Sequence, residues 1–144
     1  MLIRFSQQDP RWANKKFGNY YTIGRWGCTI TALVMAYDWF YGDNKTPDWM
    51  ADQLKYLDGM VIWSSMPKMK LVARIRYRDD NAIREALANP NECCLVEVNH
   101  SHWLFVIGRY IPWLGYRVVD PWNGQIVYTN KYQNNITGVV VVSR

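Results

Sequence analysis

Three residues of this 144-residue chain have side chains that together can activate a thiol nucleophile: Cys28, His102 and Asp120. Cys28 follows Gly27 and opens an apolar run with helical spacing. Its sulfur is therefore predicted to lie near the unpaired N–H groups and the positive dipole end of a helix, which lower the pKa of a thiol. A lone cysteine is more often a buried structural residue, so the prediction depends on its partners.

A nucleophilic thiol needs an imidazole within hydrogen-bond reach and a third group that fixes the tautomer of that imidazole. Of the two histidines, His102 begins a strongly apolar strand, whereas His100 lies in the polar connection before it. Asp120 ends the next predicted strand, and a hairpin would make the two strands neighbours. These residues predict a Cys28–His102–Asp120 triad, with the alternative that Asp120 only bonds backbone N–H groups in its turn.

The same side chains suggest a second kind of site, a zinc site. His100 and His102 stand two apart, so on one extended strand they would share a face and could join Asp120 around the metal. This ligand set is short by one, and its spacing is generic. We therefore predict no metal and no cofactor.

Helices are predicted mainly in the first two thirds of the chain. Apolar residues recur at helical spacing from Cys28, and Gly42 ends that run. A second helix is predicted over residues 46–57, with Thr46 as N-cap and Pro47 in the first turn, and Gly59 after its end. Residues 79–81 supply caps for a short helix through Leu87. Residues 5–27 show little periodicity and are predicted to form an ordered loop.

Short β-branched and aromatic runs fill the last third of the chain. The predicted strands are Cys94–Val98, Trp103–Arg109, Tyr116–Val119, Gln125–Tyr128 and Gly138–Val142, with an earlier one at Met69–Tyr77. Helices followed by an antiparallel sheet indicate an α+β fold. No repeat or linker interrupts the sequence, so one domain over residues 1–144 is predicted.

Composition excludes several classes of protein. The hydrophobic fraction of 49% is ample for one core, and the net charge of +5 comes from scattered basic residues, so no nucleic-acid partner is predicted. No secretory signal and no stretch of about 18 apolar residues occur. We therefore expect no membrane span, a cytoplasmic or phage-encoded protein with cell-wall action left open, and a monomer. Cys93 and Cys94 are adjacent and should face opposite sides of a strand, so a disulfide framework is not expected.

Four stretches of the sequence resemble the bacteriocin-processing (double-glycine) peptidase-like branch of the papain-like cysteine peptidases. They are, in order, Gln8–Ala13, Thr22–Gly24 running into Gly27–Thr31, His102-Trp103, and Asp120–Gly124. The resemblance spans nearly the whole chain and implies a papain-like fold. In that fold, N-terminal helices, with the nucleophile at the start of the first long one, pack on a C-terminal antiparallel sheet. It also implies a Cys–His–Asp triad at Cys28, His102 and Asp120 and no metal.

The family resemblance further implies a glutamine amide in the oxyanion hole. Gln8 is the best match and Gln7 its nearest competitor, and such an amide would join the backbone N–H of Cys28 in binding the oxyanion. Aromatic area beside the site predicts a substrate groove. The residues assigned to that groove are Trp26, Gly27 and Trp103.

Together these features predict a cysteine hydrolase that cleaves peptide or related amide bonds, with bacterial cell-wall peptides as a candidate substrate. Stand-alone members of the family are often encoded by bacteria and their phages. This chain departs from the family in having Thr29-Ile30-Thr31 after the nucleophile, where Gly-Pro-Thr is frequent. The alternative is a catalytically inactive papain-like module that binds a peptide, glycan or protein partner.

Overall fold

The architecture, seen in a computed structural model that describes residues 2–144, is mixed α+β, as predicted. Its helices are α1 (Ile23–Trp26), α2 (Cys28–Tyr41), α3 (Pro47–Gln53) and α4 (Asp80–Ala88), with 3₁₀ turns at Trp63–Ser65 and Thr129–Tyr132. The short strands are β1 (Lys16–Phe17), β2 (Tyr21–Thr22), β3 (Tyr56–Leu57) and β4 (Met60–Val61). The longer strands are β5 (Lys70–Ile75), β6 (Glu92–Val98), β7 (His102–Ile111), β8 (Gly115–Asp120), β9 (Gln125–Tyr128) and β10 (Ile136–Ser143).

The main sheet has six strands in the order β5-β10-β6-β7-β8-β9. All neighbouring pairs are antiparallel, which confirms the predicted antiparallel sheet. β10 is the last strand in the chain, yet it lies between β5 and β6. β6, β7 and β8 follow one another as a meander, so the ends of β7 and β8 that carry chemistry lie side by side.

Helices cover both faces of this sheet. Helix α2 packs on one face, against residues such as Leu95 and Phe105, and α4 packs on the other, against residues such as Val96 and Leu104. Cys93 belongs to the first core and Cys94 to the second, as expected for adjacent strand residues. All three cysteines are free thiols. Within residues 2–144, none of the helices combines the length and apolar character that a membrane span requires.

The two longest helices begin and end where the sequence predicts. Gly42 follows α2 in the left-handed region at φ 63°, and its N–H donates to Asp38 O at 2.8 Å, which closes the last turn. The carboxylate of Asp79 caps α4 by accepting from Ala82 N at 3.0 Å. Helix α4 then ends at Ala88, before Pro90.

The prediction for the second helix was wrong at its C-terminal end. Helix α3 starts after Thr46 with Pro47 in its first turn, as predicted, but it ends at Gln53 rather than Leu57. Residues 56–61 instead form the β3–β4 hairpin, whose tight turn places Asp58 and Gly59 at positive φ. The pair Asp58-Gly59 therefore marks a hairpin turn and not the end of a helix. The predicted loop over residues 5–27 also contains β1, β2 and α1.

A buried carboxylate on α2 makes the stability of the fold depend on pH. The side chain of Asp38 is fully buried, Oδ1 accepts from Lys45 N at 2.8 Å, and Oδ2 has no partner in residues 2–144. Burial is the main cause that raises the pKa of Asp38 to about 6. Because the unfolded pKa is about 3.9, the folded state binds more protons between these values, and its stability rises as the pH falls.

We expect the contribution of Asp38 to the free energy of unfolding to increase by on the order of 2 kcal/mol as the pH falls from 7 to 4. Asp38→Asn keeps an oxygen for the Lys45 N–H and cannot ionise, so it should lose this part of the pH dependence. Urea unfolding at several pH values measures the difference, with Asp58→Asn in the β3–β4 turn as a control that should match the wild type. Parallel pH profiles for the wild type and Asp38→Asn would contradict the prediction.

Candidate active site

The junction between α1 and α2 determines where Cys28 lies. Gly27 separates the two helices, and its N–H donates to Ile23 O at 2.8 Å. A Cβ on Gly27 would lie 2.5 Å from Ile23 O and 2.8 Å from Ile23 Cα, so a larger residue would push the helices apart. The sequence assigned Gly27 to a substrate groove, but this residue is buried and its missing side chain makes room for α1. Cys28 is thereby held as the first residue of α2, as predicted.

His102 and Asp120 come together because β7 and β8 are neighbours. His102 is the first residue of β7, Asp120 the last of β8, and Phe105 pairs with Val119 between them. His102 Nε2 lies 2.7 Å from Asp120 Oδ1. The imidazole is 18% exposed, whereas the carboxylate is fully buried. The sequence-predicted contact between these two side chains is present.

The thiol of Cys28 faces the other side of the same imidazole. Asp120 occupies Nε2, so Nδ1 is the ring nitrogen that remains for Cys28, and the interaction with His102 lowers the pKa of the thiol. The backbone N–H of Trp103 and the side chain of Thr29 lower this pKa further. Cys28 retains 9% exposure. The three residues predicted from the sequence therefore come together, with His102 hydrogen-bonded to Asp120 and interacting with the thiol of Cys28.

This arrangement favours an ion pair at neutral pH. Burial opposes ionisation of Cys28, but the hydrogen bond and positive charge of His102, with the Trp103 N–H, lower the pKa of the thiol overall. Burial likewise opposes the imidazolium, but hydrogen bonds with Asp120 and Cys28 raise the pKa of His102 to about 9. A thiolate beside an imidazolium is the reactive form of a cysteine nucleophile.

Four donors hold the buried carboxylate of Asp120. Besides His102, these are Lys131 Nζ at 2.7 Å, the hydroxyl of Tyr132, and Trp122 N at 3.0 Å. Burial alone would raise the pKa of Asp120, but these hydrogen bonds hold it far below the usual range for aspartate. The carboxylate therefore stays ionised and fixes the orientation of the imidazole.

Sequence reasoning missed Lys131 and Tyr132. Both lie in the 3₁₀ turn at Thr129–Tyr132, and the ring of Tyr132 also packs on the imidazole of His102, with centroids 5.5 Å apart. A lysine and a tyrosine in a polar turn carry no spacing that points to a site. The one usable signal is chemical, because a carboxylate that becomes buried needs more donors than one histidine provides.

The two candidate oxyanion glutamines both contact α1, just before Cys28. Gln8 is exposed, and its amide Nε2 donates to Gly24 O. Gln7 is 1% exposed, its Nε2 donates to Gly24 O at 3.2 Å, and its Oε1 has no partner in residues 2–144. The backbone N–H of Gln7 donates to Pro121 O at 2.7 Å, which ties this segment to the turn after Asp120. Gln8 and Gln7 both remain candidates.

Of the two aromatic residues that the sequence assigned to the groove, Trp26 is exposed and Trp103 is not. Trp26 is 52% exposed and lies two residues before Cys28, and Trp122 is 49% exposed and follows Asp120 by two. Trp103, which the sequence assigned to the groove, is only 7% exposed and packs against Trp63, with ring centroids 5.4 Å apart. Its side chain belongs to the core, and its backbone N–H helps to lower the pKa of Cys28.

The histidines do not form the metal site that the sequence left as an alternative. His100 lies in the turn between β6 and β7 with φ 57°, outside the strand that carries His102. The two imidazoles therefore do not occupy alternate positions on one strand face. Among residues 2–144, no group of three or more His, Cys, Asp or Glu side chains is arranged to hold a metal ion.

Comparisons of the chain with protein-family models, with curated proteins and with solved structures gave no match. Any statement about activity therefore depends on the site itself. Its defining feature is the imidazole of His102 between the thiol of Cys28 and the buried carboxylate of Asp120.

Proposed function

We propose that this protein is a cysteine hydrolase that cleaves peptide or related amide bonds, with Cys28 as nucleophile, His102 as acid and base, and Asp120 orienting the imidazole. The observation that carries the proposal is the imidazole of His102, which is hydrogen-bonded to a fully buried carboxylate and interacts with the thiol of Cys28 so that the pKa of the thiol is lowered. Each residue has the chemistry its role requires, namely a thiol with a lowered pKa, an imidazole charged at neutral pH, and a permanently ionised orienting group.

The first half of the proposed reaction forms an acyl-enzyme. The Cys28 thiolate attacks the carbonyl carbon, a C–S bond forms, and the carbonyl oxygen becomes an oxyanion. First-turn N–H groups of α2 and an amide from Gln8, or its competitor Gln7, would donate to that oxyanion. The His102 imidazolium then gives its proton to the amide nitrogen, the C–N bond breaks, and the amine leaves.

In the second half, neutral His102 takes a proton from water and the hydroxide attacks the thioester carbon. The C–S bond breaks, the acid leaves, and the proton on His102 restores the ion pair with the Cys28 thiolate. Asp120 stays ionised throughout, because its four donors favour the charged form. Lys131 acts through Asp120, and Tyr132 acts through Asp120 and by packing on the imidazole of His102, so both are positioning residues.

A papain-like architecture is part of the same proposal. Two features support it: the nucleophile opens the long helix α2, and the base and its orienting aspartate come from adjacent strands of an antiparallel sheet packed on that helix. The net charge of +5 and the exposed Trp26 and Trp122 favour bacterial cell-wall peptides as the first substrates to test.

A second candidate function is binding without turnover. It is favoured by the low exposure of Cys28, 9%, beside the more open rings of Trp26 and Trp122. In that case the aromatic residues would stack on a peptide or glycan partner and the thiol would remain unused. Only a measured reaction distinguishes the two functions.

Cys28→Ala should reduce hydrolysis of peptide and peptidoglycan-derived substrates by on the order of 10⁴-fold, because it removes the nucleophile. Cys93→Ala is the matched control, since it removes a similarly buried thiol from the same core. Release of amines from each substrate, followed by mass spectrometry, measures both rates. Equal rates for the wild type and Cys28→Ala would reject the hydrolase and leave the binding function.

A further inference from the structure

A second candidate site lies on the opposite face of the sheet from Cys28. It is a cavity of about 680 Å³ beside α4 and the outer parts of β7 and β8. The side chains that matter to its chemistry are Arg78, Arg84, Leu87, Arg109, Tyr110 and Tyr116. This volume lies within the range of small-molecule sites, and the cavity shares no residue with the triad. We call it the arginine cavity.

The positive charge in the arginine cavity is only partly compensated. Arg78 pairs with Asp80, with Nε 3.1 Å from Oδ2, and the hydroxyl of Tyr116 donates to the same carboxylate. Arg84 and Arg109 form no ion pair with any residue between 2 and 144. Nη2 of Arg84 donates to Asn81 Oδ1, and the remaining N–H groups of Arg84 and those of Arg109 can bind a carboxylate, sulfonate or phosphate.

The rest of the cavity wall is apolar. Leu87 comes from α4, and the rings of Tyr110 and Tyr116 pack edge to face with centroids 5.3 Å apart. Tyr110 is 44% exposed, with Cζ of Arg78 5.9 Å from the centroid of its ring, so part of its surface is open to a ligand. A wall of this kind stabilises a ring or a branched hydrocarbon, whereas a simple inorganic anion would leave it uncovered.

We propose that the arginine cavity binds a small organic anion with an aromatic or branched apolar body. The acidic group lies between Arg84 and Arg109, and the apolar body packs against Leu87 and Tyr110. This site is independent of the proposed hydrolase, since the cavity shares no residue with the triad and Cys28 lies in the core on the other face of the sheet.

Two fluorescent probes that differ by one sulfonate test the proposal on the full chain. They are 8-anilinonaphthalene-1-sulfonate and the uncharged N-phenyl-1-naphthylamine, which has the same rings. We expect saturable binding of the sulfonate probe, weakened about tenfold by Arg84→Ala and by Arg109→Ala. Arg144→Ala, at the chain end, is the matched control and should bind as the wild type does.

Two further comparisons locate the binding. The arginine variants should leave any binding of the uncharged probe unchanged. Ala88→Trp fills the cavity from the end of α4 and should weaken the binding of the sulfonate probe at least tenfold. Thermal unfolding establishes that each variant is folded. The proposal is overturned if folded wild-type protein shows no saturable binding of the sulfonate probe, or if both arginine variants or Ala88→Trp bind it as tightly as wild type.

Discussion

Iodoacetamide at pH 6.5 is expected to alkylate Cys28 at least about 100-fold faster than Cys93 or Cys94. Burial alone raises the pKa of Cys93 to about 12, and burial raises that of Cys94 as well, with a further contribution from Cys93. At pH 6.5 a thiol with a pKa of 12 is ionised in fewer than about one molecule in 10⁵. The hydrogen bond with His102 has the opposite effect and lowers the pKa of Cys28.

Exposure does not explain the expected selectivity. Cys28 is 9% exposed and Cys93 is 7% exposed, so the reagent meets two thiols of similar accessibility. Trypsin separates them, because Cys28 lies between Arg25 and Lys45 whereas the cysteine pair lies between Arg84 and Arg109. Mass spectrometry of the two peptides against time then gives both rates from one sample.

His102→Ala is the decisive control for this experiment. Without the imidazolium, burial dominates and the pKa of Cys28 should rise, so alkylation at pH 6.5 should slow by about 10- to 100-fold. The difference in alkylation rate between the wild type and His102→Ala should shrink as the pH rises through about 9, where His102 loses its proton. If Cys28 reacts slowly at pH 6.5 and at the same rate in His102→Ala, no ion pair exists and the proposed nucleophile fails.

The sequence alone predicted the helix that carries Cys28 and the strand that carries His102. Helical spacing after Cys28 and the stop at Gly42 gave the correct bounds of α2, because the spacing of apolar residues and a left-handed residue after the helix are local properties. The neighbouring positions of His102 and Asp120 followed from a hairpin, which is the shortest way to join antiparallel strands. These predictions needed no knowledge of distant contacts.

Predictions that depend on long-range packing were less accurate. Trp103 follows His102 and was assigned to the groove, but its neighbour Trp63 comes from a 3₁₀ turn 40 residues earlier and packs it into the core. The end of α3 was misplaced because the β3–β4 hairpin competes with the helix for residues 54–57. Lys131 reaches Asp120 only because the turn after β9 folds back over the site.

The second large loss of activity is expected for Asp120→Asn, because this side chain is surrounded by hydrogen-bond donors. An asparagine that keeps its oxygen toward His102 places its NH₂ against the ammonium of Lys131, where two donors meet. If the amide is turned the other way, its NH₂ donates to Nε2 of His102. The imidazole then carries its proton on Nδ1, which is the wrong tautomer for accepting a proton from Cys28. Either orientation should reduce the rate of acylation by about 10³- to 10⁴-fold, the scale seen when the orienting carboxylate of a serine-protease triad is changed to an amide.

A double variant shows whether Asp120 acts through its negative charge or through the orientation of the imidazole. Lys131→Met removes the competing ammonium, so in Asp120→Asn/Lys131→Met the amide can keep its oxygen toward His102 and its NH₂ toward Tyr132, whose hydroxyl can accept as well as donate. Asp120→Asn should also slow the alkylation of Cys28 at pH 6.5, and the double variant should react about tenfold faster than Asp120→Asn, whereas Lys131→Met alone should react more slowly than the wild type. A double variant no faster than Asp120→Asn would mean that the negative charge of Asp120, and not the orientation of the imidazole, maintains the ion pair of His102 with Cys28.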